Sequence, residues 1–216
     1  SKAYDTVRWS SVKRGLQRIG LSPEFIDFAM NSLEGSRTCM RTNRQGWVTP
    51  TVSVHQAIKQ GCPLAPLLFV IMMDELHENY ASIPEAGYTL PRGKKVHSRG
   101  YCDDTTILSS TVRGLENMHN CTMTFFRKHG LMLNEDKTML TGRCADGRDM
   151  HAPPWTADTL LKTVPTSFSI RHLGIHINMN LDWTDQIQIM NSKVLTVVSF
   201  LKGRKITALQ GTQIVK

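Results

Sequence analysis

The sequence predicts an α+β fold in which helices back an antiparallel sheet. Two observations support this class. Several segments repeat apolar residues at the three- and four-residue spacing of an amphipathic helix, and between them lie runs of β-branched and aromatic residues interrupted by turn signals. The chain has 216 residues, of which 40% are hydrophobic, and this is enough to bury a core.

Five segments carry helical signals. They are residues 9–19, 23–33, 66–76, 112–126 and 183–201. Ser22 ahead of Pro23 is a typical N-cap followed by a first helical residue, and Gly35, Gly130 and Gly203 follow three of the segments as stop signals. The segment from residue 66 follows a turn that two prolines make rigid, so a loop leads directly into a buried helix.

Two β-hairpins are predicted. Residues 38–54 have a β-like pattern around a turn at residues 43–46. Residues 96–100 and 105–108 flank Asp103 and Asp104 as strand arms, which places both carboxylates at a hairpin tip. The remaining segments are predicted as an exposed connection (residues 81–95), a short strand or turn entry (131–134) and a loop (142–166).

The charge balance favours an anionic partner. Lys and Arg total 26 against 18 Asp and Glu, which gives a net charge of +8 and a pI of about 9.4. The five cysteines are widely spaced without a C-x-x-C pair, so neither a disulfide framework nor a zinc site is indicated, and a reducing compartment is expected. Charge alone does not choose between nucleic acid and a membrane surface. The longest apolar run, residues 63–73, is too short to span a bilayer, and no membrane partner is expected.

The adjacent carboxylates Asp103 and Asp104 require an explanation. Two unit charges about 4 Å apart repel by about 4 kcal/mol at an effective dielectric near 20, so the pair is not there for stability. An isolated Asp-Asp is most often a solvated turn. Tyr101 before the pair and the β-formers after it favour a rigid turn that presents oxygen ligands to a hard cation such as Mg²⁺. Two such ions can clamp the oxygens of a phosphoryl transfer.

Five short phrases in order along the chain carry a family resemblance. They are SKAYDTV (1–7), QGCPLAPLLF (60–69), YCDD (101–104), GLMLNEDKT (130–138) and HLGI (172–175). Tyr-x-Asp-Asp alone is weak evidence, but five phrases at compatible spacings are strong. On these motifs the chain resembles the reverse transcriptases, and among them the polymerases of non-LTR (LINE-type) retrotransposons.

The resemblance implies a fold and a domain order. It implies a polymerase palm with partial fingers, the palm over residues 1–178 and the fingers over 35–60. Residues 179–216 would be the start of the thumb or a connection helix. The chain would start inside the first palm motif, whose own metal-binding Asp would lie two residues before Ser1. We therefore expect a fragment that is inactive by itself.

The resemblance also implies roles for the acidic residues and for Tyr4. Asp103 and Asp104 would be the catalytic metal ligands. Asp5 corresponds to the second acidic residue of the first motif, and capping a helix or turn is the alternative that we favour for it over metal binding. Tyr4 falls where the family has a steric gate, a ring that excludes the 2′-hydroxyl of a ribonucleotide. An ordinary core tyrosine is the alternative.

Four further residues receive roles by resemblance. Gln60 and Gly61 open the second motif and would contact the incoming nucleotide and template. Lys137 matches the lysine of the fourth motif and would stabilise or protonate the departing pyrophosphate; a solvated surface lysine is the alternative. His172 stands where the fifth motif usually has Tyr, which weakens its assignment to the primer grip.

The implied function is RNA-directed DNA synthesis assisted by two Mg²⁺, for which Mn²⁺ can substitute. The partners would be an RNA template, a DNA primer and deoxynucleoside triphosphates, with the excess Lys and Arg holding phosphates. Two alternatives remain: a catalytically dead, nucleic-acid-binding remnant of such a domain, and an RNA-synthesising polymerase, against which Tyr4 argues. An intracellular location is expected, nuclear if the parent is a eukaryotic retrotransposon.

Overall fold

The computed structural model describes residues 3–41, 48–156 and 161–202. The helices are α1 (Ala3–Thr6), α2 (Trp9–Arg18), α3 (Pro23–Leu33), α4 (Ala65–Ala81), α5 (Val112–His129) and α6 (Thr184–Lys202). The strands are β1 (Arg37–Thr38), β2 (Val52–Ser53), β3 (Tyr88–Thr89), β4 (Lys95–Val96), β5 (Ser98–Tyr101), β6 (Asp104–Ile107), β7 (Met139–Leu140), β8 (Lys162–Thr163), β9 (Ile170–His172) and β10 (Ile175–Ile177). This mixture of helices and mostly antiparallel strand pairs confirms the α+β class.

The predicted helices form where their local signals lie. The Ser22 hydroxyl accepts a hydrogen bond from the Phe25 N–H at 3.4 Å and caps α3. Thr111 caps α5 in the same way through Gly114, and Gly130 ends α5 with a left-handed φ of 76°. The expected stop at Gly203 lies outside the described residues. Helix α4 continues five residues past its predicted end at residue 76, to Ala81.

The chain divides into two compact units, residues 1–135 and 136–216. The core of the first unit is built mainly by α2, α3, α4 and α5. Its fully buried large apolar side chains are Val7, Val12, Leu16, Ile58, Leu68, Phe69, Met72, Leu76, Tyr80 and Met118. Burying side chains of this size contributes about 1.5–3 kcal/mol each. Helix α4, which is apolar on most of its circumference, therefore runs through the middle of this core.

A polar cluster joins three helices of the first unit. Arg14 of α2 donates to both carboxylate oxygens of Glu75 in α4 at 2.8 Å, and it lies 2.7 Å from the ring of His129, the last residue of α5. Lys128 is 3.5 Å from the same carboxylate. Burial, together with the Arg14 charge, lowers the pKa of the fully buried His129 to about 4, so the ring is neutral at pH 7.

The described strands form two-stranded pairs instead of one continuous sheet. β1 pairs with β2, β3 with β4, β5 with β6 and β9 with β10, all antiparallel, whereas β7 and β8 are parallel. The β1–β2 ladder confirms the first predicted hairpin, whose turn at residues 43–46 lies outside the described part of the chain. The assignment of palm, fingers and thumb stays a prediction.

Two local expectations were wrong. The connection at residues 81–95 contains β3, which pairs with β4, because Gly93 with a φ of 78° closes a tight turn and Val96 is buried. The predicted loop at residues 142–166 contains β8, which pairs with a strand 23 residues earlier. For residues 131–134 a short strand or a turn entry was predicted, and the structure agrees with the turn entry, because these residues lead into a 3₁₀ turn, Glu135–Lys137.

Helix α6 is the last described element of the second unit. Its side chains are exposed or only partly buried. Of the apolar residues predicted to form its stripe, Ile187, Met190 and Val194 are each more than half exposed, and Val197 is 38% exposed. The predicted helix is therefore confirmed, but its apolar stripe is not buried. No helix in the described ranges has the length and apolar character needed to cross a membrane.

Candidate active site

The two aspartates lie at the tip of the β5–β6 hairpin, as predicted. Tyr101 pairs with Asp104 in the last rung of the ladder, so Cys102 and Asp103 form a two-residue turn and Asp104 opens β6. Cys102 has a left-handed φ of 52°, a conformation that usually requires glycine in such turns. A strained backbone of this kind costs on the order of 1–3 kcal/mol and is often found at functional sites.

Both carboxylates are exposed. Among the residues that the structure describes, no Lys, Arg or His forms an ion pair with Asp103 or Asp104. Within that part of the chain, no ion pair with a protein cation offsets the mutual repulsion of the two charges. The turn presents a concentrated negative charge to the solvent, which suits a divalent cation.

Tyr4 of α1 brings the first motif against the second and third. Its ring stacks on Phe69 of α4, with centroids 4.8 Å apart and planes inclined by 19°. Burial, a hydrogen bond with the Cys102 side chain and the charge of Asp103 together raise the pKa of the Tyr4 hydroxyl to about 12. The phenol is therefore neutral at physiological pH and lies beside the aspartate turn.

Backbone hydrogen bonds fix α1 to the segment that leads into the second motif. The Ile58 N–H donates to the Tyr4 carbonyl at 2.8 Å, and the Ala57 N–H donates to the Val7 carbonyl at 2.9 Å. The Trp9 indole N–H donates to the Ala57 carbonyl at 2.8 Å. Residues 57–58 are thus attached to the segment from Tyr4 to Trp9, and Gln60 follows two residues later.

Gln60 and Gly61 lie in an exposed turn before α4. Gly61 has a φ of 87°, which a residue with a side chain adopts only with strain, and no atom lies within 4 Å of the position that a Cβ would take. The local requirement for glycine is therefore conformational. The open space at Gly61 leaves its backbone accessible to a ligand.

His77 of α4 contacts the strand that carries the turn. Its Nδ1 lies 2.7 Å from the Ser98 hydroxyl, and its Nε2 lies 2.6 Å from the position that a Cβ on Gly100 would occupy. Gly100 therefore leaves room for the imidazole, two residues before Cys102. Burial lowers the pKa of His77, partly opposed by the charge of Asp74, so the ring that supports β5 is neutral at pH 7.

The other predicted residues are placed as follows. Asp5 is exposed within α1, and the N-cap of α2 is Arg8, so Asp5 is not the cap of that helix. Lys137 is exposed at the end of its 3₁₀ turn and belongs to the second unit. His172 ends β9 and pairs with Ile175, and the turn between them has left-handed φ values at Leu173 and Gly174.

No group of three His, Cys, Asp or Glu side chains that could hold a metal ion occurs in residues 3–41, 48–156 or 161–202. Within that part of the chain, the acidic pair of Asp103 and Asp104 is not part of such a group. Their oxygen donors match the preference of Mg²⁺, so the pair supplies part of a ligand set.

Sequence reasoning assigned no role to four residues that shape this site. Phe69 and Cys102 were quoted within motifs, but only the fold shows that both contact Tyr4. His77 carried no sequence signal. Gly100 was visible as a glycine inside a predicted strand arm, which often marks a close approach by another group.

Comparison with known proteins supports the family resemblance seen in the five motifs. The profile of the family described as "Reverse transcriptase (RNA-dependent DNA polymerase)" matches residues 1–177. A retrovirus-related Pol polyprotein from the type-1 retrotransposable element R2 of Popillia japonica is 33% identical over 146 residues, which are 68% of this chain and 20% of that protein. The corresponding polyprotein from the type-2 element R2DM of Drosophila melanogaster is 32% identical over 143 residues, 66% of this chain and 13% of that protein. The chain thus spans a fifth or less of these relatives.

Proposed function

The chain belongs to the reverse transcriptase family, and on that premise we propose that it is the polymerising domain of an R2-like, non-LTR retrotransposon polyprotein. It would join deoxynucleotides to a DNA primer on an RNA template. The observation that carries the proposal is the contact of Tyr4 with Phe69 and Cys102, because it joins residues from three separate motifs beside one exposed, acidic turn.

The proposed domain assignment follows the motifs. Residues 1–178 would form the palm, with part of the fingers at residues 35–60, and residues 179–216 would begin the thumb or a connection helix. The hairpin of β5 and β6 and the α4 helix behind it are the support that such a palm requires, since a site is more precise on strands and helices than on loops.

Reverse transcriptases generally use divalent metal ions. Asp103 and Asp104 would hold Mg²⁺, or Mn²⁺ in its place, and two ions in the intact parent. Bound there, the metal would supply charge neutralisation at the phosphates of the nucleotide. The chain's own contribution is to fix the two carboxylates at a tight turn where no cation of the described residues forms an ion pair with them, so that their oxygens remain available as ligands.

The remaining site residues would bind and select the substrate. The Tyr4 ring, held by Phe69 and Cys102, would block a 2′-hydroxyl on the incoming sugar. Gln60 and the open backbone of Gly61 would contact nucleotide and template. Lys137 would stabilise or protonate the pyrophosphate that leaves. An intracellular location, nuclear in a eukaryote, is part of the proposal.

Metal binding can be tested on the 216-residue chain itself. Titration with Mn²⁺ should broaden the backbone amide signals of Asp103 and Asp104 at lower concentration than those of Asp146 and Asp182, two exposed aspartates of the second unit. The double variant Asp103→Asn, Asp104→Asn should lose the selective broadening. Equal broadening in the variant would remove the metal role from this turn.

Catalysis and sugar selection need a second experiment. We expect residues 1–216 alone to show no primer extension on poly(A) with oligo(dT), whereas a longer polyprotein that contains them should extend the primer. In that longer protein, Tyr4→Val should raise the use of ribonucleotides relative to deoxynucleotides, and Phe28→Leu, on an exposed side chain, should not. Unchanged sugar selection in the Tyr4 variant would contradict the gate, and synthesis by the short chain would contradict its expected inactivity.

A further inference from the structure

The segment of residues 86–102, the basic arm, concentrates positive charge immediately before the aspartate turn. It contains Arg92, Lys94, Lys95 and Arg99 and not a single Asp or Glu, so its net charge of +4 is half of the chain's total of +8. All four side chains are exposed. In the described part of the chain none of them forms an ion pair, although seven such pairs occur elsewhere in it.

Strand pairing and hydrogen bonds give the basic arm a defined backbone conformation. β3 and β4 form its first ladder, and the turn between them is closed by the Leu90 N–H, which donates to the Lys94 carbonyl at 2.8 Å. The Lys95 ammonium donates to the Pro84 carbonyl at 2.9 Å, and Val96 is buried beneath the arm. A backbone that is ordered before a ligand arrives lowers the entropy cost of binding.

Hydrogen bonds connect the basic arm to the candidate site. The Leu108 N–H donates to the His97 carbonyl at 2.7 Å, and the Gly87 N–H donates to the Leu108 carbonyl at 3.0 Å. The arm then continues as β5 and ends at Cys102, so its cations and the acidic pair lie on one continuous hairpin structure. A ligand that follows the arm is therefore led to the aspartate turn.

A cavity of about 430 Å³ lies between α4 and the strands of the basic arm. Lys95 and Arg99 are among the residues that line it. The acidic residue in its lining, Asp74, is already paired with Arg18 at 2.5 Å, so it offsets little of the arm's charge. Cations without acidic partners beside an open groove suit a polyanion, since the ligand's charges replace the counterions at little desolvation cost.

We propose that the basic arm is a phosphate-binding surface that holds the nucleic-acid backbone beside the aspartate turn. The inference rests on the proposed function, because it names the surface by which that site would hold its polymer. Continuity with the acidic hairpin favours nucleic acid over an anionic membrane. Arg92, Lys94 and Arg99 make the contacts, and Lys95, which is partly committed to the Pro84 carbonyl, supports the arm.

The test compares two triple variants of equal charge. The arm variant is Arg92→Gln, Lys94→Gln, Arg99→Gln. The control is Lys13→Gln, Arg127→Gln, Lys193→Gln, three exposed cations outside the arm that form no ion pair within the described residues. Fluorescence anisotropy with an RNA–DNA duplex gives the affinity from 50 to 200 mM KCl, and circular dichroism verifies that both variants fold.

We expect the arm variant to reduce the magnitude of the negative slope of log K against log[salt] by roughly 2–3, since each lost phosphate contact removes about 0.7–0.9. The control should lower it by less than about 1. Equal losses in both variants, or no loss in the arm variant, would overturn the inference while leaving nucleic-acid binding intact. Failure of the unmodified chain to bind duplex would overturn the inference and the proposed nucleic-acid function together.

Two further measurements complete the test. A photo-crosslinking residue at position 92 should crosslink to the duplex, and the same residue at position 127 should not. This comparison keeps the inference testable if the triple variant folds poorly. In a parallel titration with vesicles that contain phosphatidylserine, an arm-dependent affinity for vesicles without arm-dependent affinity for duplex would assign the surface to lipid and overturn the inference.

Discussion

The contact between His77 and Gly100 predicts that Gly100→Ala lowers the free energy of unfolding. This loss should depend on the presence of the His77 side chain. The new Cβ would lie 2.6 Å from Nε2 of His77 and 3.0 Å from Cε1, whereas ordinary contacts begin at 3.4 Å. The ring must therefore withdraw by about 0.8 Å. It is held there by the Ser98 hydroxyl at 2.7 Å and by an edge contact with Tyr80, whose ring centroid is 6.1 Å away.

The magnitude follows from these contacts. Loss of the Ser98 hydrogen bond costs about 0.5–1.5 kcal/mol, and overpacking typically costs about 1–3 kcal/mol. Replacing a strand glycine by alanine stabilises the folded state by about 0.5–1 kcal/mol, because it reduces the conformational entropy of the unfolded chain. We expect a net loss of about 1–3 kcal/mol in the free energy of unfolding. In a His77→Ala background the clash is absent, so the same substitution should be neutral or stabilise by up to about 1 kcal/mol.

Urea denaturation at pH 7, followed by circular dichroism, gives the free energy of unfolding of the unmodified chain, Gly100→Ala, His77→Ala and the double variant. These four values complete a double-mutant cycle. We expect a coupling energy of about 2 kcal/mol with unchanged m-values. The amide signals of Cys102 and Asp103 should shift in Gly100→Ala and return toward their original positions in the double variant. If Gly100→Ala costs the same in both backgrounds within about 0.5 kcal/mol, His77 does not support the strand that carries the aspartates.

Two other predictions concern the end of α5. Because the folded pKa of His129 is about 4 and its unfolded pKa is about 6.5, its contribution to stability is complete above pH 6.5 and is lost as the pH falls toward 4. In His129→Phe the free energy of unfolding should therefore fall less between pH 6.5 and 4, by at most about 3 kcal/mol; an unchanged pH dependence in urea titrations would contradict this. Gly130→Ala should cost about 1–3 kcal/mol more than Gly147→Ala, because both have left-handed φ values but only at Gly130 would a Cβ lie 2.8 Å from the Thr6 carbonyl oxygen. Equal costs in thermal unfolding would show that this contact relaxes freely.

The sequence by itself determined the elements whose signals are local. The cap at Ser22 and the stop at Gly130 act through neighbouring residues, and they set helix ends that the structure confirms. The turn at Cys102 and Asp103 was visible because two strand arms flank it, and the α+β class followed from the same patterns. The family was visible because five phrases keep their order and spacing along the chain.

Tertiary structure alone decided which of these elements touch. Tyr4 lies nearly one hundred positions before Cys102, and the contact between them depends on Phe69 and on the attachment of α1 to residues 57–58. The pairing of β7 with β8 rests on two residues in each strand, too few to leave a periodic signal. Hydrophobic periodicity reports which face of an element is apolar but not what will cover it. The partners are chosen by packing and by long-range hydrogen bonds, and no local pattern of residues encodes those.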